Sequence, residues 1–234
     1  MPIHIHPNAQ LADRVLLPGD PGRALRLAQS LLQSPKMFNH NRGLWGYTGT
    51  APDGQLLTVQ STGMGGPSTA IVVSELLELG ATRLVRVGTC GALDEDLELG
   101  QLVIASEALS DDGTSRALGA KDRLPASPEL IAALGRANDA GAAAQGPVVS
   151  TDLFYDADDR ETGWREAGAV AVEMEAATLF ALAARRGVQA GCVLIVSDLL
   201  FDSRVRIEPD DLQEAEVRLG QLALRALDEA STSA

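Results

Sequence analysis

Short apolar runs typical of β-strands alternate along the chain with amphipathic stretches that have helical spacing. The predicted strands are Arg14–Leu17, Gln55–Gln60, Arg83–Val87, Leu102–Glu107, Pro147–Thr151, Ala169–Val172 and Ala190–Val196. The predicted helices are Gly22–Gln33, Ser68–Leu79, Met174–Arg186 and Asp210–Ala230. The last strand is almost wholly apolar, which is typical of a sheet centre covered on both faces. The alternation predicts a largely parallel sheet between helical layers, with ligands at the carboxyl ends of the strands.

The composition fits one globular α/β domain over residues 1–234, since no repeat, linker or break in composition interrupts the pattern. Cys90 and Cys192 form no CxxC pair and the chain has 3 histidines, so we expect buried free thiols and no metal site. The start of the chain lacks a basic region followed by an apolar run, and the longest apolar run, Cys192–Val196, is too short to span a bilayer. We therefore expect a cytoplasmic protein without a membrane segment.

The formal net charge of −13 argues against nucleic-acid and anionic-membrane partners. An acidic chain that binds an anion needs a locally basic pocket, so the positions of a few arginines become informative.

Glycines follow three of the predicted strands: Gly19 after the first, Gly63, Gly65 and Gly66 after the second, and Gly88 and Gly91 after the third. Two of these segments lead directly into helices, whose free backbone N–H groups favour anions. The alternative is that the glycines only allow tight turns.

Three arginines lie near these glycines. Arg23 is one turn into the first helix, Arg86 lies within an apolar strand, and Arg42 follows Asn41 in a less regular segment. With the Thr89 hydroxyl, they would hold a phosphate, because a charge-assisted hydrogen bond contributes about 1.5–3 kcal/mol. The alternative is that they form structural ion pairs. Since neither GxxxxGK[ST] nor a GxGxxG after a strand is present, the anion is a free ion or part of a substrate rather than a large cofactor.

Carboxylates and aromatic residues supply candidates for the rest of a site. Glu173 and Glu175 lie where a strand meets a helix and could accept sugar hydroxyls, or could serve the helix dipole. Asp198 follows the most apolar strand and suits a general acid, or a helix cap. Phe154 and Tyr155 could stack on a flat base or pack in the core.

Six motifs in order resemble those of the hexameric bacterial nucleoside phosphorylases, which include purine nucleoside phosphorylases and uridine phosphorylases. The likeness extends from about Pro2 to the last helix. The motifs are Pro18-Gly19-Asp20-Pro21-Gly22-Arg23, Asn41-Arg42-Gly43, Gly63-Met64-Gly65, Arg86-Val87-Gly88-Thr89-Cys90-Gly91, Val172-Glu173-Met174-Glu175 and Ser197-Asp198.

The resemblance implies a three-layer α/β/α fold around a mixed, mostly parallel, partly barrel-like sheet. It implies reversible phosphorolysis of a nucleoside to free base and ribose 1-phosphate, with inorganic phosphate as co-substrate and no cofactor. It also implies a homohexamer built as a trimer of dimers.

The same resemblance gives each candidate residue a role. Phosphate contacts fall on Gly19, Arg23, Arg86, Thr89 and, from a neighbouring subunit, Arg42. Ribose contacts fall on Met64, Met174, Glu175 and a histidine that crosses from a neighbouring subunit, best matched by His4 and otherwise by His6. The base is bordered by Phe154, Tyr155, Val172, Glu173, Ser197 and Asp198. Arg86 and Asp198 are the expected catalytic residues, and Asp198 protonates a purine at N7.

The choice of base is less firmly implied. Purine enzymes of this family carry a later arginine that assists the aspartate, but Leu212 occupies that position, and Arg204 and Arg206 come earlier. Three explanations are open. Asp198 acts without an arginine, Arg204 or Arg206 replaces the missing arginine, or the base is an unusual one. Uridine enzymes of this family bind uracil through a glutamine and an arginine. At the corresponding positions this chain has Asp158 and Arg160, so the arginine is present and the glutamine is not.

Ser197-Asp198 favours purines over pyrimidines, and other functions remain open. The alternatives are a uridine phosphorylase, a phosphate-independent nucleosidase and a non-catalytic nucleoside-binding protein.

Overall fold

A computed structural model describes residues 2–138, 142–155, 160–201 and 204–231, which fold around one mixed β-sheet. Its strands are β1 (Arg14–Leu17), β2 (Gln33–Asn39), β3 (Gly46–Thr50), β4 (Leu56–Gln60), β5 (Arg83–Ala92), β6 (Leu102–Asp111), β7 (Arg123–Pro125), β8 (Ala143–Thr151), β9 (Ala171–Glu173), β10 (Gln189–Leu199) and β11 (Val205–Arg206). Its helices are α1 (Pro21–Leu31), α2 (Gly66–Glu78), α3 (Gly113–Ala117), α4 (Pro128–Ala137), α5 (Glu161–Glu166), α6 (Ala176–Arg186) and α7 (Pro209–Ser231), with a 3₁₀ turn at Asn41–Gly43.

Five strands close into a barrel in the order β5, β10, β6, β8, β9 and back to β5. The longest pairing is parallel and joins β5 to β10 from Arg83 opposite Gln189 to Ala92 opposite Leu199. The strands β1, β4, β3 and β2 extend the sheet outward from β5. The mixed, partly barrel-like sheet expected from the resemblance is therefore confirmed.

Helices cover the sheet on both faces. The apolar residues of α2 and α6 pack in one core cluster, and those of α1, α4 and α7 pack in another. In α6 every residue from Ala176 to Ala183 is buried, which explains why this helix is apolar around its whole circumference. The two clusters give the three-layer α/β/α arrangement.

Local signals that the sequence carries set the helix ends. The Asp20 carboxylate caps α1 by accepting hydrogen bonds from the backbone N–H groups of Gly22 and Arg23, at 3.0 and 2.8 Å, and Pro21 is the first helical residue. Gly187 ends α6 in the left-handed conformation with φ of 65°. Asp20 and Pro21 therefore mark the start of α1, and Gly187 marks the end of α6.

Several elements depart from the prediction. β5, β6, β8 and β10 are longer than predicted, and their additional residues pair with other strands of the barrel. The pattern did not predict β2, whose first five residues are exposed and lack strand alternation. Within the described residues, no helix combines the length and apolar character needed to cross a membrane.

Candidate active site

A cavity of about 1080 Å³ opens at the carboxyl ends of β1, β4, β5 and β10. It brings together all but two of the residues expected to act in one site. Those that line it are Gly19, Arg23, Met64, Arg86, Thr89, Phe154, Tyr155, Val172, Glu173, Met174, Glu175, Ser197 and Asp198. Arg42 and His4 do not line it, so within one chain two of the three expected arginines meet there.

Arg86 lines the cavity and is only 4% exposed. Its Nε donates to Glu173 Oε2 at 2.8 Å, and its Nη2 lies 2.5 Å from Glu175 Oε2. Burial by itself lowers the pKa of Arg86, but the carboxylates of Glu175 and Glu173 hold that pKa above its ordinary value. The guanidinium is therefore permanently charged, and its partners are site residues rather than surface acids.

Gly88 makes room for this guanidinium. A Cβ atom at position 88 would lie 2.7 Å from Arg86 Cζ and Nη2. The glycine is thus required because the Arg86 side chain lies directly against the backbone of its own strand.

Glu173 serves the structure of the site. Its oxygens accept hydrogen bonds from the backbone N–H groups of Glu175 and Ala176, from Ser150 Oγ and from Arg86 Nε. The carboxylate thus lies at the start of α6 and accepts from its first backbone N–H groups, which favours the helix-dipole alternative for Glu173.

Glu175 joins the glycine loop to Arg86. Its Oε1 accepts a hydrogen bond of 2.6 Å from the backbone N–H of Gly65, where φ is 83°. Burial raises the pKa of Glu175 despite the neighbouring Arg86. Only a glycine takes that backbone conformation without strain, so Gly65 delivers its N–H to the carboxylate.

Arg23 reaches the cavity from α1 and is fixed by a buried partner in α7. Its Nε donates to Glu216 Oε1 at 2.8 Å, and Arg26 Nε donates to the other Glu216 oxygen at 2.6 Å. Burial by itself raises the pKa of Glu216, but the hydrogen bonds from Arg26 and Arg23 lower it overall. Among the described residues, neither Nη group of Arg23 has a hydrogen-bond partner, which leaves donors for an anion.

Sequence reasoning missed Glu216. The only signal is its spacing within α7, where it falls next to buried Ala215 and three residues before buried Leu219. A carboxylate on the apolar face of a helix needs a cationic partner.

Asp198 sits on β10 and is 3% exposed. Its Oδ2 accepts a hydrogen bond from Ser197 Oγ at 2.7 Å. Its Oδ1 accepts one from Arg204 Nε at 2.8 Å and lies 3.1 Å from Arg206 Nε. Leu212 instead packs against the core cluster of α1, α4 and α7. Arg204 and Arg206 thus both lie where an arginine could assist Asp198, which favours the possibility that one of them replaces the missing arginine.

The aromatic wall of the cavity is largely exposed, with Phe154 48% and Tyr155 88% accessible. Their rings meet edge to face at 5.0 Å between centroids, and Arg204 Cζ lies 4.3 Å from the Phe154 centroid. One face of Phe154 is therefore covered by a guanidinium.

The same wall contains Arg160, which matches the arginine of uridine enzymes, and residues that the sequence did not indicate: Glu161, Trp164, Arg165, Leu200 and Phe201. Arg160 donates to Asp111 and Thr151, at 3.2 and 3.1 Å. Asp158 lies outside the described residues.

His4 and Arg42 lie away from the cavity of their own chain. His4 Nδ1 is 2.7 Å from Glu75 Oε1, and the Glu75 carboxylate also accepts the backbone N–H groups of Ile3, His4 and Ile5. His6 Nε2 is 3.0 Å from the Ile3 carbonyl oxygen. Arg42 is exposed, with φ of 57°.

Cys90 and Cys192 are buried free thiols whose pKa values are raised by burial. Across the part of the chain that the structure describes, no group of three or more His, Cys, Asp or Glu side chains is placed to hold a metal ion.

Comparison with known proteins agrees with this geometry. Residues 13–229 match the family model described as the Phosphorylase superfamily, and the chain belongs to that family. It is 41% identical to the DeoD-type purine nucleoside phosphorylase of Alkaliphilus metalliredigens over 86% of this chain and 89% of that protein. It is 38% identical to the DeoD-type purine nucleoside phosphorylase of Clostridium perfringens over 99% and 100% of the two chains. It is 39% identical to the guanosine phosphorylase of Halorubrum lacusprofundi over 84% and 83%.

Proposed function

We propose that this chain catalyses the reversible phosphorolysis of purine nucleosides to free base and ribose or deoxyribose 1-phosphate. The observation that carries the proposal is that one cavity holds two arginines at a glycine-bearing rim, a buried carboxylate at Glu175 and a second one at Asp198. The purine nucleoside phosphorylases among its relatives support the choice of base.

Phosphate binds at Gly19, Arg23, Arg86 and Thr89. Three carboxylates, Glu173, Glu175 and Glu216, pair with Arg86, Arg23 and Arg26. The formal charges of these three pairs cancel, so a bound dianion gains from one more cation. Arg42 of a neighbouring subunit supplies it, which is consistent with its exposed position outside the cavity of its own chain.

Glu175, Met64 and Met174 hold the ribose. Glu175 is fixed by Gly65 and Arg86, so its carboxylate is oriented before the sugar arrives. Met64 is highly exposed in the single chain, as expected for a residue at the mouth of a site that another subunit completes. His4 of that subunit reaches the sugar, and Glu75 orients it through Nδ1.

The base lies among Phe154, Tyr155, Val172, Glu173, Ser197 and Asp198. As the glycosidic bond breaks, positive charge develops on the sugar and negative charge on the departing purine. Phosphate beneath C1′ stabilises the positive charge on the sugar and then forms the bond to C1′ as the bond to the base breaks. Asp198 gives a proton to N7 of the departing base. Ser197 orients Asp198 through the hydrogen bond to Oδ2.

The proposal includes a single domain over residues 1–234, no cofactor other than the co-substrate phosphate, and a homohexamer in the cytoplasm built as a trimer of dimers. The placement of His4 and Arg42 outside their own cavity supports an assembly in which subunits complete each other's sites.

The decisive experiment measures base release from inosine, guanosine, adenosine and uridine, with and without phosphate. We expect purine turnover that requires phosphate and yields one pentose 1-phosphate per base. Equal base release in phosphate-free buffer would make the chain a nucleosidase, and faster turnover of uridine than of any purine would reject the choice of base. Binding without turnover would mark a nucleoside-binding protein.

A further inference from the structure

We infer that Arg204 reads the substituent at C6 of the purine, and that it makes the enzyme prefer 6-oxopurine nucleosides to 6-aminopurine nucleosides. This inference deepens the proposed function and rests on it.

Arg204 is held in place from two sides. Its Nε donates to Asp198 Oδ1 at 2.8 Å, and its Cζ lies 4.3 Å from the centroid of the Phe154 ring. A cation over an aromatic face is attracted by the ring quadrupole, and the hydrogen bond fixes one edge of the guanidinium. The side chain is therefore a defined part of the cavity wall rather than a loose surface arginine.

The fixed guanidinium retains unused donors. It lines the cavity, and among the described residues neither Nη group has a hydrogen-bond partner. A guanidinium carries five N–H donors and no acceptor, so this part of the wall offers donors only.

The position next to Asp198 determines which purine atom these donors meet. Asp198 is the proposed proton donor to N7, and on a purine the C6 substituent lies beside N7 along the same edge. In guanine and hypoxanthine that edge presents two acceptors, N7 and O6, whereas in adenine it presents the N7 acceptor and the N6 amino donor. An Nη group of Arg204 can donate to O6, but it opposes the N6 amino group donor to donor.

The neighbouring arginines are less suited to this role. Arg206 also approaches Asp198, but its side chain is 70% exposed and it does not line the cavity. Arg165 lines the cavity, but its Nε and Nη2 donate to the backbone carbonyls of Leu93 and Leu200. Arg160 donates to Asp111 and Thr151.

Inosine and adenosine provide the test, because the two nucleosides differ at the C6 substituent and in the hydrogen on N1. We expect kcat/KM of the wild type to be at least about 10-fold higher for inosine, since one well-placed pair of base-edge hydrogen bonds discriminates by this order. In Arg204→Gln the ratio should fall toward one, mainly through a loss with inosine, because an amide offers an acceptor as well as donors. In the matched control Arg206→Gln, which also removes a guanidinium from Asp198, the ratio should stay at its wild-type value.

Two results would overturn the inference: a wild type that uses adenosine as well as inosine, or equal shifts of the ratio in Arg204→Gln and Arg206→Gln. The second result would mean that the arginines act only through the charge of Asp198. Calorimetric binding of hypoxanthine and adenine to the wild type gives the same comparison without turnover or a variant, and equal affinities would also reject the inference. Loss of phosphate-dependent turnover with every nucleoside would instead reject the proposed function.

Discussion

The Nε atom of Arg204 donates to Asp198 Oδ1 at 2.8 Å, although Leu212 stands where the resemblance placed an arginine. Arg204 comes from the short segment between β10 and β11, and Arg206 is the register partner of Asp198 in that pairing. The pairing of β10 with β11 thus places two guanidinium groups next to one carboxylate.

Replacing Asp198 by asparagine should remove the proton donor while keeping the oxygen that faces Arg204. We expect kcat for inosine to fall by about 100-fold or more, as for loss of a general acid, while the KM for phosphate changes little. Steady-state kinetics with each substrate varied will measure both effects.

A nucleoside methylated at N7 provides the control for Asp198→Asn. Its base already carries a positive charge and leaves without a proton, so 7-methylguanosine should be turned over at nearly the wild-type rate. An equal loss with inosine and 7-methylguanosine would mean that Asp198 maintains the structure of the site rather than protonating the base.

Arg23 and Arg26 form a matched pair for testing the phosphate site. Both donate to Glu216, but only Arg23 lines the cavity. We expect Arg23→Gln to raise the KM for phosphate by about 10-fold or more, since a charge-assisted contact is lost, with a much smaller change in the KM for inosine. Arg26→Gln should leave the phosphate KM near its wild-type value. Equal increases in the two variants would show that Arg23 only supports Glu216.

β1, β4 and the five strands of the barrel could be located from sequence because each contains a short apolar run, whereas β2 is mostly exposed and lacks this pattern. β1 has the predicted bounds, and Asp20 and Gly187 supply local start and stop signals for α1 and α6. The closure of these strands into a barrel could not be predicted from such local patterns. Its closure depends on the pairing of β9 with β5 and β8, which joins residues far apart in sequence.

Some site residues could likewise be recognised from sequence, whereas others are evident only from the structure. Gly88 could be recognised as a special position from its place after an apolar strand, but its reason, the Arg86 guanidinium lying against it, appears only in three dimensions. Glu216 lies 193 residues from Arg23 and within an ordinary amphipathic helix. No local pattern links those two residues, and the same holds for the aromatic wall that includes Trp164 and Phe201.

The hydrogen bonds that Glu75 accepts from the amino-terminal segment should weaken at low pH. Burial by itself raises the pKa of Glu75, but the hydrogen bonds from His4 and from the backbone of Ile5 and Ile3 lower it to about 2 from an ordinary 4.5. A carboxyl whose pKa is lowered on folding stabilises the protein fully above its unfolded-state pKa, and that contribution is lost as the pH falls from about 4.5 toward 2.

Glu75→Gln should therefore destabilise the protein by roughly 1.5–3 kcal/mol at pH 7, the usual contribution of hydrogen bonds to a charged group, and by progressively less below pH 4.5. Thermal melting across this range will measure the difference, and hydrogen exchange should show faster exchange of the amides of Ile3, His4 and Ile5. Glu95→Gln, at an exposed position, is the control. A constant difference between Glu75→Gln and wild type at all pH values would rule out the charged carboxylate as the cause.

Replacing glycine by alanine should have opposite effects on the free energy of unfolding at Gly88 and at Gly135. Gly88→Ala places a methyl group 2.7 Å from the Arg86 guanidinium, which must move away from Glu173 and Glu175. We expect a loss of about 1–3 kcal/mol in the free energy of unfolding, as for overpacking, and a raised KM for phosphate. Gly135 lies in α4 with open space where its Cβ would be, so Gly135→Ala should stabilise the protein by about 0.5–1 kcal/mol through better helix propensity. Denaturant unfolding and phosphate kinetics of the two variants will check both signs. A Gly88→Ala enzyme with wild-type phosphate KM would show that Arg86 does not need its present position to bind the anion.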